Sequence, residues 1–235
     1  MMKRNTLPTP EAQKPARWSM KTASFQVVIA LAISTFGFPA AVHAQSSDRA
    51  GVARHEFQAK IGYCQDCHGR AGQGYRGFYP IPRLAGQQPE YLKNQLQAFV
   101  EHRRTNNVMF NVAHSLSPAM INALADRFRD FDPAPIGGAP RNLVTAGRRI
   151  FEDGVPDANV AACAACHGPD ATGRDQFPRL AGQLNTYVIK VLNNWSKERG
   201  QIPTRPDVSA VMQPVAHSLT RSQVEAVAAY VSTLR

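Results

Sequence analysis

Apolar side chains recur at helical spacing in two distant parts of the chain, and the same elements are predicted in both. Each part has one amphipathic helix with a wide apolar face and a later helix with an i, i+3, i+4, i+7 stripe. The first pair of helices carries Leu92, Leu96 and Phe99, then Ile121, Leu124, Ala125 and Phe128; the second carries Val188, Leu192 and Trp195, then Val224, Val227, Ala228 and Val231. Ser117 is the predicted N-cap of the later helix in the first part, with Pro118 at its first position, and Thr220 corresponds to Ser117. No long alternating pattern competes with these stripes, so the chain is predicted to be all-α.

The helices occur twice because the sequence is duplicated. Residues 82–87 return unchanged as 178–183, and residues 108–116 return with changes as 211–219. The offset between the copies is 96 in the first of these blocks and 103 in the second, against 99 at the cysteines. The second copy therefore lost three residues and gained seven, and we expect these changes to lie in loops.

A Pro- and Gly-rich stretch without apolar periodicity separates the copies and reads as a linker. The predicted organisation is one domain over 45–131, a linker over 132–141 and a second domain over 142–235. Two small domains suit a chain of this length.

Residues 1–44 resemble an export leader. Lys14, Arg17 and Lys21 precede an apolar run over about 23–38, and small residues before a cleavage point after Ala44 complete the pattern. The alternative is a retained membrane anchor, but the run is shorter than the ~20 residues that a spanning helix needs. Met20 is an alternative start to Met1. Cleavage lowers the formal net charge from +10 to about +6.

All four cysteines occur in two C-x-x-C-H motifs, which are typical of covalent c-type haem attachment. The motifs are Cys64, Cys67 and His68 in the first copy and Cys163, Cys166 and His167 in the second. The thiols would attach to the haem vinyl groups, and the adjoining imidazole would bind the iron. The sequence therefore predicts two covalently bound haems c.

Two other uses of the cysteines are weaker. Cysteines three positions apart make poor disulfide partners for each other, and a disulfide requires no histidine behind each pair. A zinc ion would have only two thiol ligands and one imidazole ligand in each copy, whereas a structural zinc site usually has four ligands.

A haem iron with one histidine ligand often takes a methionine sulfur as its second axial ligand. Met109 and Met212 occupy the same place in the two copies, whereas Met120 corresponds to Gln223 and is expected to fill the core. His114 and His217 also repeat, so bis-histidine ligation is the alternative. The predicted metal ligands are His68, Met109, His167 and Met212.

These features together resemble the cytochrome c4 family of periplasmic diheme cytochromes. The shared features are the two C-x-x-C-H motifs, the Pro-x-Leu-Ala-Gly-Gln segments, the helices with Tyr91 and Tyr187, and the methionine before each final helix. The resemblance implies two tandem class I cytochrome c domains related by a pseudo-twofold axis. It also implies that the Pro82 and Pro178 carbonyls accept the Nδ1 hydrogens of the haem histidines, and that Leu84 and Leu180 press on the porphyrins.

The chain departs from the family pattern in places. The basic stretch before the first methionine keeps Arg104 but has His102 where glycine is usual, and the second copy carries Arg199 followed by an inserted segment over 201–209. These departures leave the propionate-binding residues unassigned. The first helix of the second domain has the usual Gly147 and Phe151, whereas the first domain has Gly51 and His55.

The resemblance implies a periplasmic electron carrier rather than an enzyme, since no catalytic arrangement of side chains is evident. Expected partners are a quinol–cytochrome c reductase or a dehydrogenase as donor and a terminal oxidase as acceptor; membrane association is left open, and no nucleic acid is expected. The alternatives are a haem subunit of a dedicated complex and a diheme enzyme such as a peroxidase or thiosulfate dehydrogenase.

The basic residues before the two methionines predict a positively charged surface that steers an acidic partner. Ordinary solvation is the alternative explanation for their position. They are Arg103, Arg104, Lys190, Lys197, Arg199 and Arg205.

Overall fold

The computed structural model describes residues 42–199 and 208–235. The predicted leader over 1–44 lies outside these ranges apart from its last three residues, and the inserted segment over 201–209 lies outside them apart from its last two. Across the described ranges, no helix combines the length and the apolar character needed to cross a membrane.

The described chain is mainly helical, as predicted. The α-helices are α1 Val42–His68, α2 Pro89–Val100, α3 Asn107–His114, α4 Pro118–Arg129, α5 Val144–Asp153, α6 Ala164–His167, α7 Asn185–Asn193, α8 Trp195–Glu198, α9 Met212–Ser218 and α10 Arg221–Val231. Strands β1 Tyr75–Arg76 and β2 Pro80–Ile81 form a short antiparallel hairpin. Short 3₁₀ helices cover Arg141–Leu143, Pro156–Ala158 and Val208–Val211.

In the first copy, α2 and α4 pack against the end of α1. The Ser117 side chain caps α4 by accepting a hydrogen bond from the Met120 backbone at 3.2 Å, and Pro118 begins the helix. The predicted stripe of α4 is buried, and Ile61 of α1 and Leu92 of α2 join it in one core. Met120 packs against this core, which confirms the predicted packing role.

In the second copy, α10 packs across α5 and α7. Thr220 and Gln223 form a capping box at the start of α10, and the predicted stripe of this helix is buried. Gly147 of α5 allows close approach, because a Cβ atom there would overlap the Ala226 carbonyl oxygen of α10. Phe151, one turn further along α5, is fully buried against Tyr230.

The two copies differ mainly in their connections. Helix α1 runs directly into the first cysteine motif, whereas α5 ends at Asp153 and the second motif lies on the separate helix α6. Five residues separate the paired Tyr75 and Ile81, whereas two separate the paired Arg174 and Phe177, so the three residues that the second copy lost lie in the turn of this hairpin, as predicted. The predicted second-copy helix with Val188, Leu192 and Trp195 is interrupted at Asn194, so Trp195 begins α8 instead of continuing α7.

Glutamine side chains join the two copies reciprocally. Gln87 donates to the Arg179 carbonyl at 3.0 Å and accepts from the Arg179 backbone N–H at 2.6 Å. Gln183 makes the same pair of bonds with the Arg83 backbone, at 3.0 and 2.8 Å. The predicted linker over 132–141 has no helix or strand before Arg141, which begins a 3₁₀ helix. Arg83 donates to the Pro133 carbonyl of this linker at 2.8 Å.

Candidate functional site

The two cysteine motifs lie at helix ends in both copies. Cys64, Cys67 and His68 form the last turn of α1, and Cys163 precedes α6, which contains Cys166 and His167. The four cysteines form no disulfide with one another. Burial raises the pKa of both Cys64 and Cys163 to about 11, so these two thiols are neutral at neutral pH.

Each motif histidine is held by a proline carbonyl of its own copy. His68 Nδ1 lies 2.9 Å from the Pro82 carbonyl oxygen, and His167 Nδ1 lies 2.9 Å from the Pro178 carbonyl oxygen. These are the hydrogen bonds that the family resemblance implied. A carbonyl can only accept, so the proton is on Nδ1 and the Nε2 lone pair is left for a metal. Burial lowers the pKa of both imidazoles, which favours this neutral form.

Both histidines face one continuous cavity of about 1110 Å³ that extends through the two copies. The lining is mostly apolar and includes Leu84 and Leu180 at equivalent places. Its volume exceeds the ~300–1,000 Å³ of an ordinary single-ligand pocket. Two thiols, one neutral imidazole and apolar walls in each half therefore fit two haems.

The two predicted methionines line this cavity, and their rivals do not. Met109 lies in the first turn of α3, where the Asn106 side chain accepts a hydrogen bond from the Met109 backbone at 2.9 Å. Met212 begins α9 and lines the same cavity in the second half. His114 and His217 are exposed and do not belong to the described lining.

The two rival histidines have ordinary contacts elsewhere. His114 stacks against Phe110, with ring centroids 5.5 Å apart. His217 Nε2 shares a hydrogen bond with the Ser196 hydroxyl. Within the described residues, no three His, Cys, Asp or Glu side chains are grouped closely enough to hold a metal ion by themselves. The zinc alternative therefore has no ligand set in this part of the chain.

The prediction of a basic surface is wrong for Arg104 and Arg199. Arg104 lines the cavity, and Arg199 is only 4% exposed and also lines it. Each guanidinium stacks on an aromatic ring, Arg104 on Phe99 at 4.6 Å and Arg199 on Trp195 at 4.7 Å. Lys190 forms a salt bridge with the Glu198 carboxylate at 2.7 Å.

Of the other three residues predicted for this surface, Arg103 is hydrogen-bonded to Glu101 at 2.6 Å and Lys197 is exposed. Arg205 lies outside the described residues. Sequence reasoning missed that the arginines face inward because the rule that basic residues are exposed outweighed a visible signal. That signal is an aromatic residue shortly before one arginine in each copy, at Phe99 and Trp195.

Comparison with known proteins agrees with this arrangement. The cytochrome c family matches residues 144–235. Cytochrome c4 of Thiocapsa roseopersicina is 33% identical over 205 residues, which cover 85% of this chain and 99% of that protein. The thiosulfate dehydrogenase electron acceptor of Thiomonas intermedia is 33% identical over 175 residues, covering 72% of this chain and 77% of that protein.

A solved structure extends the likeness to the fold. The structure of Acidithiobacillus ferrooxidans cytochrome c4 superposes with a TM-score of 0.61 at 38% identity, covering 73% of this chain and 98% of that chain. Its coverage includes both copies, and it confirms the predicted all-α class I cytochrome c architecture. Proteins of this class bind haem c covalently through motifs like those at Cys64 and Cys163. The chain belongs to the cytochrome c4 family.

Proposed function

We propose that the chain binds two haems c covalently and carries single electrons between redox proteins of the periplasm. The observation that carries this proposal is the pair of cysteine motifs that face one cavity, each with a histidine whose Nδ1 is bonded to a proline carbonyl. Such paired motifs need two prosthetic groups, and the residues that would hold both groups line the same cavity.

Each half contains the residues that would bind one haem. The cysteine thiols would form the thioether links, His68 and His167 would each bind one iron, and Met109 and Met212 are the candidates for the second ligand of each iron. The bound haem contributes reversible one-electron chemistry at its iron. Methionine as an axial ligand and an apolar wall both raise the reduction potential, which suits a carrier that accepts electrons readily.

This arrangement favours a carrier over an enzyme. A peroxidase needs an iron with an open or displaceable ligand, and both halves here place a methionine at the equivalent position of the cavity lining. The exposed positions of His114 and His217 leave methionine as the supported sixth ligand in both halves.

The proposed donor is a quinol-oxidising complex or a dehydrogenase, and the proposed acceptor is a terminal oxidase. A more specific candidate donor is a thiosulfate-oxidising enzyme, because the Thiomonas relative is named as the electron acceptor of thiosulfate dehydrogenase. The periplasmic location rests on the export leader predicted over residues 1–44.

The first experiment is mass spectrometry of the denatured, purified protein together with its reduced visible spectrum. We expect two haem additions on a chain that begins after residue 44. A bare chain, or a chain with one haem, would overturn the proposal.

A second experiment identifies the donor. Reduction of the oxidised protein is followed by stopped-flow absorbance with either a quinol-oxidising complex or a thiosulfate dehydrogenase and thiosulfate. Fast reduction by thiosulfate dehydrogenase and not by the quinol-oxidising complex would identify the thiosulfate-oxidising enzyme as the donor. Consumption of thiosulfate or peroxide by the purified protein itself would instead make it an enzyme.

A further inference from the structure

The two repeated histidines bind no iron in the proposed function, yet each lies five residues after a candidate methionine ligand. His114 ends α3, whose first turn contains Met109, and His217 lies near the end of α9, which begins with Met212. A helix rises 1.5 Å per residue, so the histidine and the methionine lie about 7.5 Å apart along the helix axis. A contact made by the histidine therefore restrains the helix that presents the methionine.

Helix α9 is too short to hold its own position. It has seven residues, and an isolated helix of this length is unstable in water without packing. Ala216 is the one buried residue in α9, and its N-cap residue Val211 makes no side-chain hydrogen bond to the first turn. The position of α9, and of Met212 with it, therefore depends on contacts with neighbouring elements.

The imidazole of His217 makes such a contact. His217 Nε2 lies 2.5 Å from the Ser196 hydroxyl oxygen of α8. Helix α8 is itself anchored, because its first residue Trp195 is buried and its Glu198 carboxylate accepts a hydrogen bond from Lys190 of α7 at 2.7 Å. The hydrogen bond between Ser196 and His217 therefore ties the helix with the methionine to an anchored element.

The first copy restrains its methionine helix by different contacts. The Asn106 side chain caps α3 by accepting a hydrogen bond from the Met109 backbone at 2.9 Å. Phe110 stacks on two imidazoles, with its ring centroid 4.7 Å from that of His102 and 5.5 Å from that of His114. Helix α3 is therefore held at its first turn by a cap and along its length by ring stacking.

The hydrogen bond to Ser196 is specific to the second copy. Val100 occupies the matching position of the first copy, so the hydroxyl that binds His217 has no counterpart there. Conversely, Gln213 occupies the position that matches Phe110, so the second copy lacks the ring of the first-copy stack. The same repeated histidine thus uses a hydrogen bond in one copy and ring stacking in the other.

We propose that His217 is a positioning residue that holds Met212 at the second iron through its hydrogen bond to Ser196. The proposal rests on the proposed function, since Met212 has an iron to bind only when the haem is present. If this hydrogen bond is lost, α9 can move away from the iron, and the methionine leaves more often. The tether acts on the second iron alone, because α3 in the first copy is held by its own contacts.

The expected size of the effect follows from the strength of one hydrogen bond. A hydrogen bond of this kind changes an equilibrium constant by about two- to tenfold. Loss of the tether should therefore raise the fraction of the second haem without bound methionine by about two- to tenfold. An external ligand such as imidazole binds only where the methionine has left, so its binding should accelerate by the same factor.

The test compares Ser196→Ala with Ser222→Ala in the haem-loaded protein. Ser222 is the matched control, because it is an exposed serine of the same copy whose hydroxyl pairs with that of Thr220. Stopped-flow absorbance measures the rate at which imidazole binds to the ferric protein. We expect faster binding in Ser196→Ala and an unchanged rate in Ser222→Ala.

Proton NMR shows which haem has exchanged its ligand. The signals of the two iron-bound methionine methyl groups are assigned by their loss in Met109→Ala and Met212→Ala. In Ser196→Ala, imidazole should remove the Met212 signal first and leave the response of the Met109 signal as in the wild type. Asn106→Ala is the reciprocal variant and should accelerate exchange at the first haem alone.

Two more variants separate positioning from a general loss of stability. Ser196→Thr keeps the hydroxyl and should restore the wild-type rate. His217→Phe keeps a planar ring without a hydrogen-bonding nitrogen and should accelerate exchange as Ser196→Ala does, with no further gain in the double variant.

Three results would overturn the proposal. They are unchanged exchange in Ser196→Ala and His217→Phe, equal acceleration at both haems, and additive effects of the two substitutions. A wild-type protein without two haems, or without methyl signals of iron-bound methionine, would refute the proposed function itself. The mass measurement and the wild-type spectrum reveal that failure separately.

Discussion

Replacing Gln183 with leucine should destabilise the protein by weakening the interface between its two halves. Gln183 is only 6% exposed, donates to the Arg83 carbonyl at 3.0 Å and accepts from the Arg83 N–H at 2.8 Å. Leucine has a similar volume, so the main effect of Gln183→Leu is the loss of these bonds instead of a new cavity. The Arg83 backbone then keeps an unpaired N–H and an unpaired carbonyl in a buried place, and the Leu184 N–H, which donates to Gln183 Oε1 at 3.0 Å, also loses its acceptor.

The magnitude follows mainly from the two Arg83 groups, and the Leu184 N–H adds to it. A buried polar group without a partner costs about 1–3 kcal/mol, so two such groups predict a loss of about 2–4 kcal/mol in the free energy of unfolding after some relaxation. The measurement is equilibrium denaturation of the haem-loaded protein, with the denaturant slope expected to stay unchanged. Gln97→Leu is the matched control, because Gln97 lies exposed on α2.

The equivalent substitution on the other side sharpens the test. Gln87 makes the reciprocal bonds to the Arg179 backbone, so Gln87→Leu should cost a similar amount. A loss no larger than that of the Gln97 control would show that the glutamines do not hold the halves together. Separate unfolding of the two halves in the double variant would support their role strongly.

Two further predictions concern the ligands and the helix packing. Met109→Ala or Met212→Ala should remove the sulfur-to-iron charge-transfer band of one haem and lower its potential, measured by near-infrared absorbance and redox titration; unchanged spectra would refute methionine ligation. Gly147→Ala should destabilise the protein by more than 1 kcal/mol because its Cβ would overlap the Ala226 carbonyl, whereas Gly62→Ala, with nothing within 4 Å of its Cβ, should gain about 0.5–1 kcal/mol; thermal denaturation that ranks the two variants the other way would contradict the packing.

The sequence predicted those parts of the fold that depend on local signals. The cap residues Ser117 and Thr220 and the stripes behind them located α4 and α10, because capping and amphipathic spacing are properties of neighbouring residues. The break at Asn194 was not predicted. The apolar spacing continues through it to Trp195, and spacing alone does not report where the backbone hydrogen bonds stop.

The candidate site was predictable where one copy supplies all of its parts. The cysteine motifs, the histidines and the cavity-lining methionines follow from residues repeated within each copy. The contact of Arg104 and Arg199 with the same Gln95 side chain was missed because it exists only once both copies are folded together. Gln95 has no polar counterpart in the second copy, so comparison of the repeats gave no reason to select it.

The unchanged repetition of residues 82–87 as 178–183 has a physical explanation in this structure. The proline of each segment fixes the haem histidine, the leucine lines the cavity, and the glutamine bonds the backbone of the opposite arginine. A contact between two related surfaces about a twofold axis requires the same residues on both sides. Six residues therefore serve both the candidate site and the interface, and the glutamine bonds the backbone next to the proline that orients the histidine. The stability of the interface and the position of the motif histidine are therefore linked through this one segment.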